Sequence, residues 1–255
     1  MITKISKKDI DTHSVPVKHK VSSPIITNPD YRNVVVNKPW GYEYLLFENK
    51  HVAIWVLFLK QGGKTSMHCH PKKMTSLLVL EGVVKTSSLG DHYDLQTLEG
   101  IVIDNGVFHS TSTDFKTGAF VMEIETPPEK SDLVRLNDQY GRENKGYEGE
   151  HSMSRDLEKY DYHSLHDEIE MERKIVEKII KKSKIALHTQ EDWDNLNKET
   201  KDKKFCMMSF LDRDLVDHQG NIVLRVGEIC EGDWFFKKQS IIKPLSGLFT
   251  VLTVY

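Results

Sequence analysis

The stretch Gly63-Lys64-Thr65-Ser66-Met67-His68-Cys69-His70-Pro71-Lys72-Lys73-Met74-Thr75, running on into Leu77–Leu80 and the turn Glu81-Gly82, decides how this chain is read. On a strand, side chains two apart share a face. His68 and His70 therefore point the same way, and Cys69 points the other. With a rise of about 3.3 Å per residue, the two imidazoles stand about 6–7 Å apart along the strand and can reach one metal ion. A third ligand has to come from another strand. His109 qualifies, because it follows Ile103-Asp104-Asn105-Gly106-Val107-Phe108, where an apolar strand runs into a tight turn. An isolated His-x-His is weak on its own; here a glycine pair stands ahead of it, and Asn-Gly-x-x-His ends a second strand. His68, His70 and His109 are thus read as ligands of one divalent ion, with Zn, Fe, Mn and Ni all compatible with neutral imidazole.

Working outward, residues 33–130 alternate short apolar, β-branched runs with turn signals. The runs are Val34–Val36, Val52–Leu59, Leu77–Leu80, Ile101–Ile103 and Ala119–Ile124. The turns are Gln61-Gly62-Gly63, Glu81-Gly82, Leu89-Gly90-Asp91, Glu99-Gly100 and Asn105-Gly106, and Pro127-Pro128 closes the region. Many short strands at fairly even spacing predict an antiparallel barrel or sandwich. Residues 1–32 read as an N-terminal arm in which Ile25-Ile26 can pair as a short edge strand. Residues 131–183 read as a linker: a polar, glycine-bearing loop to 155, then a helix over Asp156–Lys182 with Leu165, Ile169, Val176 and Ile180 four or seven apart. Residues 184–255 return to strand texture in Phe205–Leu211, Ile222–Val226, Trp234–Phe236 and Leu248–Val254, with a hairpin turn at His218-Gln219-Gly220-Asn221. This tail is either a smaller β-rich region or a degenerate second half-barrel.

Residues 33–127 resemble the cupin superfamily. Its first motif runs Gly, five residues, His-x-His, three or four residues, Glu, six residues, Gly; Gly62, His68, His70 and Gly82 fall on it. The second motif, ending in Pro-x-Gly-x-x-His, is met by Asp104-Asn105-Gly106-Val107-Phe108-His109, with Asp104 at the proline position. The resemblance implies a mainly β, double-stranded β-helix (jelly-roll) barrel with a metal inside it. It also implies a homodimer, since cupins often pair their sheets. One departure matters: the family's glutamate ligand falls on Thr75, or on Met74 with the shorter gap, and neither is a carboxylate. Either the site is a three-His site, or a carboxylate such as Glu81 or Glu123 replaces the missing one, or the protein works without metal. Lys38-Pro39-Trp40-Gly41-Tyr42-Glu43 further resembles the Pro-Trp-Gly opening of type II mannose-6-phosphate isomerases and related cupins of sugar-nucleotide and surface-polysaccharide pathways.

That narrower resemblance implies a metal-dependent isomerase or epimerase of a sugar phosphate or nucleotide sugar in polysaccharide biosynthesis. Glu123 and Tyr42 are the candidates to move the proton, and Lys72, Lys73 or Arg142 to hold a phosphate. A three-His non-haem iron dioxygenase and a non-catalytic sugar-binding cupin are the alternatives. Arg135, Tyr140, Arg142, Lys145 and Tyr147 lie in the glycine-bearing segment, a composition suited to closing over an anionic, hydroxyl-rich ligand. Tyr42 and Tyr44 alternate with Glu43, so either the tyrosines or the glutamate face the lumen.

Composition narrows the partners. The 255 residues carry a formal net charge of -3, so no basic excess points to nucleic acid. No apolar run approaches the roughly 18 residues of a spanning helix, and the N-terminus lacks the apolar core of a signal peptide. Three cysteines, Cys69, Cys206 and Cys230, are too few and too scattered for a disulfide framework. The expectation is a cytoplasmic protein acting on a small anionic molecule.

Overall fold

The computed structural model describes residues 1–6, 29–143, 147–166, 175–190, 207–238, 242–243 and 248–255. In chain order the first strands are Ile2–Ile5 (β1), Val35–Lys38 (β2), Gly41–Glu48 (β3), Ala53–Leu59 (β4), Met67–Cys69 (β5), Met74–Glu81 (β6), Val83–Ser87 (β7), His92–Gln96 (β8), Gly100–Ile103 (β9), Ser110–Ser112 (β10), Ala119–Thr126 (β11), Val134–Asn137 (β12) and Met153–Ser154 (β13). They form two layers. One is a sheet in the order β1-β9-β6-β11-β4-β3-β2-β13, antiparallel except where β1 joins β9 in parallel. In the other, β8-β7-β10 meets β5-β12 through the bridges Lys64–Ser112 and His68–His109. Two facing antiparallel sheets closing on a shared interior make the mainly β jelly roll that the cupin resemblance implies.

The central strands read as unbroken apolar runs, AIWVLFL in β4 and MTSLLVLE in β6, because both faces of the first sheet are covered. Trp55, Leu57, Leu77, Val79 and Val121 point inward, against Val84 and Leu95 of the second layer. Tyr44, Leu46, Val56, Leu78, Leu80 and Met122 point outward and are covered by the C-terminal part of the chain. There Ile175–Ile180 (β14), Ser183–Gln190 (β15), Met207–Phe210 (β16), Leu215–Asp217 (β17), Ile222–Leu224 (β18), Ile229–Glu231 (β19), Ile242–Lys243 (β20) and Phe249–Val254 (β21) make a sheet β14-β15-β21-β16-β19 and a small sheet β18-β17-β20. Val176, Ile185, Leu187, Met207 and Leu252 bury the barrel's outer face. Tyr42 belongs to that outer side and Glu43 faces the lumen, which decides the alternation left open above. Trp40 is buried beside the lumen, and Gly41 is required next to it: at φ 150° a Cβ would sit 1.9 Å from the Phe58 carbonyl oxygen.

The structure corrects three local expectations. The second half of the predicted helix, 175–182, is a β-hairpin turning at Lys181-Lys182, while 167–174 lie outside the described residues. Leu157–Lys159 is only a 3-10 turn. Trp234–Phe236 lies in a short helix, Gly232–Lys238, not in a strand. In the N-terminal arm Ile2–Ile5 pairs with β9, and the expected edge strand at Ile25-Ile26, like Lys145 and Cys206, falls outside the described residues. The segment after the barrel is woven onto it, since β12 pairs with β5 and β13 with β2. The turn at 218–221 joins β17 to β18 as expected, with Gly220 at φ 88°. No described helix is long and apolar enough to cross a membrane.

Candidate functional site

Strand register assembles the three histidines. His68 of β5 and His109, just ahead of β10, are directly opposed, exchanging backbone hydrogen bonds of 3.0 and 2.7 Å. Side chains opposed in this way meet on one face, and His70, two residues on, joins them. Ring centroids lie 4.5 Å apart for His68–His109, 4.9 Å for His68–His70 and 5.5 Å for His70–His109. Their ligand atoms all fall within 4.8 Å of one another. The tight turn expected ahead of His109 is held by Gly106 at φ 78°, whose N–H donates to the His70 carbonyl at 2.7 Å.

The hydrogen bonds fix which nitrogen is available. Nδ1 of His68 lies 2.7 Å from the Ser66 carbonyl, Nδ1 of His70 is 2.5 Å from that of Asp132, and Nδ1 of His109 is 3.0 Å from that of Val107. A carbonyl only accepts, so each Nδ1 carries the proton and each Nε2 keeps its lone pair. Metal-binding histidines are oriented by such partners on the second nitrogen. Nε2 of His70 is buried and finds no hydrogen-bond partner among the described residues. Burial pushes the imidazoles below their ordinary range, His109 to about 4, so all three are neutral at physiological pH. This donor set fits a divalent metal ion. Thr75, at the position of the family's acidic ligand, is buried on β6 with Oγ1 finding no partner among the described residues, and supplies no carboxylate.

The rest of the lumen is charged. A cavity of about 70 Å³ is lined by the three histidines, five basic side chains (Lys38, Lys73, Lys130, Arg135 and Arg142) and four acidic ones (Glu43, Glu123, Glu125 and Glu148). Glu123 and Glu125 stand two apart on β11 and share its inner face. Lys73 Nζ lies 2.9 Å and Lys130 Nζ 3.4 Å from Glu125. Burial alone would raise Glu125, but Lys130 and Lys73 outweigh it and hold the carboxyl at about 2. Glu123 is pushed up to about 7 by burial and by the neighbouring Glu125 carboxylate. Lys130 also pairs with Glu43 at 3.2 Å and lies over the Trp55 ring at 3.6 Å.

Of the residues singled out in the sequence, His68, His70, His109, Glu123, Lys73 and Arg142 all line this cavity. Tyr42 does not. It stands on the opposite face of the sheet, packed on Phe58 and Tyr160, and its hydroxyl accepts from the Asp161 N–H at 3.3 Å. The alternation of β3 sends Glu43 inward and Tyr42 out. Lys72 is also outside: its ammonium is exposed and bonds Glu129 at 2.9 Å. Lys73 is committed to Glu125, and Arg142 to Asp138 at 2.7 Å and Glu148 at 2.5 Å. Glu81, the other possible replacement carboxylate, pairs with Lys182 at 3.6 Å and is not in the cavity wall. Glu125, Lys130 and Glu148 went unnoticed in the sequence. The signal for the first was present: Glu123-Ile124-Glu125 inside an apolar strand puts two carboxylates on one face.

No family model matches the chain. A mannose-1-phosphate guanylyltransferase from Klebsiella pneumoniae is 25% identical over 113 residues, covering 44% of this chain and 24% of that protein. The chain thus spans about a quarter of the length of this curated relative. Among solved structures, a sugar phosphate isomerase from a cupin superfamily of Silicibacter pomeroyi DSS-3 is 12% identical with a TM-score of 0.35, covering 38% of this chain and 66% of that one. An RmlC-like cupin from Shewanella frigidimarina NCIMB 400 is 16% identical with a TM-score of 0.35, covering 38% of this chain and 85% of that one. These structural neighbours are cupins.

Proposed function

We propose that this protein is a metal-dependent enzyme that isomerises or epimerises a sugar phosphate or nucleotide sugar. The observation that carries the reading is the convergence of three imidazoles whose Nδ1 atoms are tied to carbonyls, leaving Nε2 for a metal. His68, His70 and His109 would hold Zn, Fe, Mn or Ni, and the ion, when bound, would polarise a carbonyl or hydroxyl oxygen of the substrate. Glu123 is the group to move the proton. A carboxyl at about 7 is poised both to give and to take one near neutral pH. Burial holds Glu123 there, and Glu125, fixed as an anion between Lys73 and Lys130, adds to it by repulsion. The excess of basic over acidic side chains in the wall favours an anionic substrate. The stretch shared with a mannose-1-phosphate guanylyltransferase supports a sugar phosphate.

Elemental analysis of protein purified without added metal, followed by turnover assays on phosphorylated sugars, tests the reading. The expectation is one bound transition-metal ion per chain, lost in His70→Ala together with turnover. A protein that turns over no such sugar with any divalent metal would sink the proposal. Thr75 in place of the acidic ligand favours a second reading, a three-His iron dioxygenase. Oxygen uptake by the Fe(II)-reconstituted protein over small acids and thiols separates the two.

A further inference from the structure

Glu148 is held by three basic side chains: Lys38 and Arg135 from the strands β2 and β12, and Arg142 from its own connection, six residues ahead. Lys38, at the end of β2, pairs with Oε2; Arg142 Nη1 donates to Oε1 at 2.5 Å; Arg135 of β12 sets Nη2 3.7 Å from the same oxygen. All four line the cavity, and their side chains are 3 to 11% exposed. Burial would raise the Glu148 carboxyl, but Lys38, Arg135 and Arg142 outweigh it and hold it at about 2. Arg142 is also held by Asp138, just after β12, while Lys73 and Lys130 draw their acids from the barrel wall, Glu125 of β11 and Glu43 of β3. Glu148 comes instead from a segment between β12 and β13. Its neighbour Tyr147 fills the same space: the ring lies 3.7 Å from the Lys38 ammonium, and the hydroxyl donates to Glu43. With these two side chains in place the cavity is about 70 Å³, well below the roughly 300–1,000 Å³ of small-molecule sites. One lysine and two arginines around a single carboxylate are the partners that recognise a phosphate or a carboxylate.

We propose that Lys38, Arg135 and Arg142 form an anion subsite for a phosphate group, and that Glu148 fills it as an internal stand-in that the ligand displaces. Displacement carries Tyr147 out of the lumen and opens room for the remainder of the ligand. The inference deepens the reading above, resting on it only in giving this cavity to the substrate.

Calorimetric titration with inorganic phosphate, against chloride at matched ionic strength, tests it. Glu148→Gln is expected to bind phosphate about tenfold more tightly than the unaltered protein or better, and Arg142→Gln added to it removes the gain. Phosphate bound at a metal would not respond to Arg142→Gln. Equal affinity with and without Glu148→Gln overturns the proposal, as does a gain that survives Arg142→Gln. If Glu148→Gln does not fold, the unaltered chain carries the test. Backbone hydrogen exchange at residues 147–149 should rise with phosphate but not with chloride, and unchanged exchange overturns the displacement. No turnover enters either measurement. Failure here leaves the histidine site and its proposed reaction standing, whereas tight phosphate binding without sugar turnover sinks only the latter.

Discussion

Strand β11 shows two environments on one backbone. Met122 and Ile124 face outward into an apolar cluster shared with Val176, Leu187 and Leu252. Glu123 and Glu125, interleaved with them, face inward among lysines, arginines and histidines. Both faces are buried, but for opposite reasons. The outer face gains by removing apolar surface from water, at about 25 cal/mol per Å². The inner face removes charges from water, which is tolerable only while each is paired, and such pairs rarely add net stability. The lumen charges therefore add little net stability of their own, and the outer face supplies it.

Substitutions at neighbouring positions of β11 test that contrast. Glu125→Ala strands the Lys73 ammonium in the lumen, leaves Lys130 with Glu43, and should cost about 3–5 kcal/mol in denaturant unfolding. A cost no larger than that of an exposed ion pair would mean the inner face is solvated and the contrast false. Glu123 brings a pH dependence. Its folded-state value of about 7 lies above its ordinary 4.5, so the folded protein holds that proton more tightly than the unfolded chain. The stabilisation is complete below pH 4.5 and is lost as pH rises through about 7; Glu123→Gln should flatten that slope. Next, Ile124→Val removes one methylene from the outer cluster and should cost about 1 kcal/mol at any pH. Smallest of all, Tyr42→Phe gives up one 3.3 Å hydrogen bond, costs at most about 1 kcal/mol and leaves turnover unchanged. A large loss of turnover there would return Tyr42 to the chemistry.

The contrast also explains what the sequence could and could not tell. The histidine site was legible because its logic is local: two residues apart on one strand, and a glycine turn ahead of the third. Much of the lumen charge was not, because Lys38, Glu125, Lys130 and Glu148 are scattered over more than a hundred positions. Each alone reads as a solvated surface charge. The misread helix failed for a different reason. Ile175, Val176, Ile179 and Ile180 satisfy a helical stripe, and Val176 and Ile180 do reach the core, but as alternate residues of β14. The hairpin turn that would have exposed the error is made by Lys181, at φ 59°, not by glycine or asparagine.

The covered outer face constrains anyone who would simplify this molecule. Trimming the gene after residue 166 to obtain a minimal barrel would bare Leu46, Val56, Leu78, Leu80 and Met122 together. A contiguous greasy wall of that kind makes copies clump before any assay begins. A useful miniature would have to be resurfaced with polar groups at those positions, and its lumen could then be studied apart from the third of the chain that now shelters it.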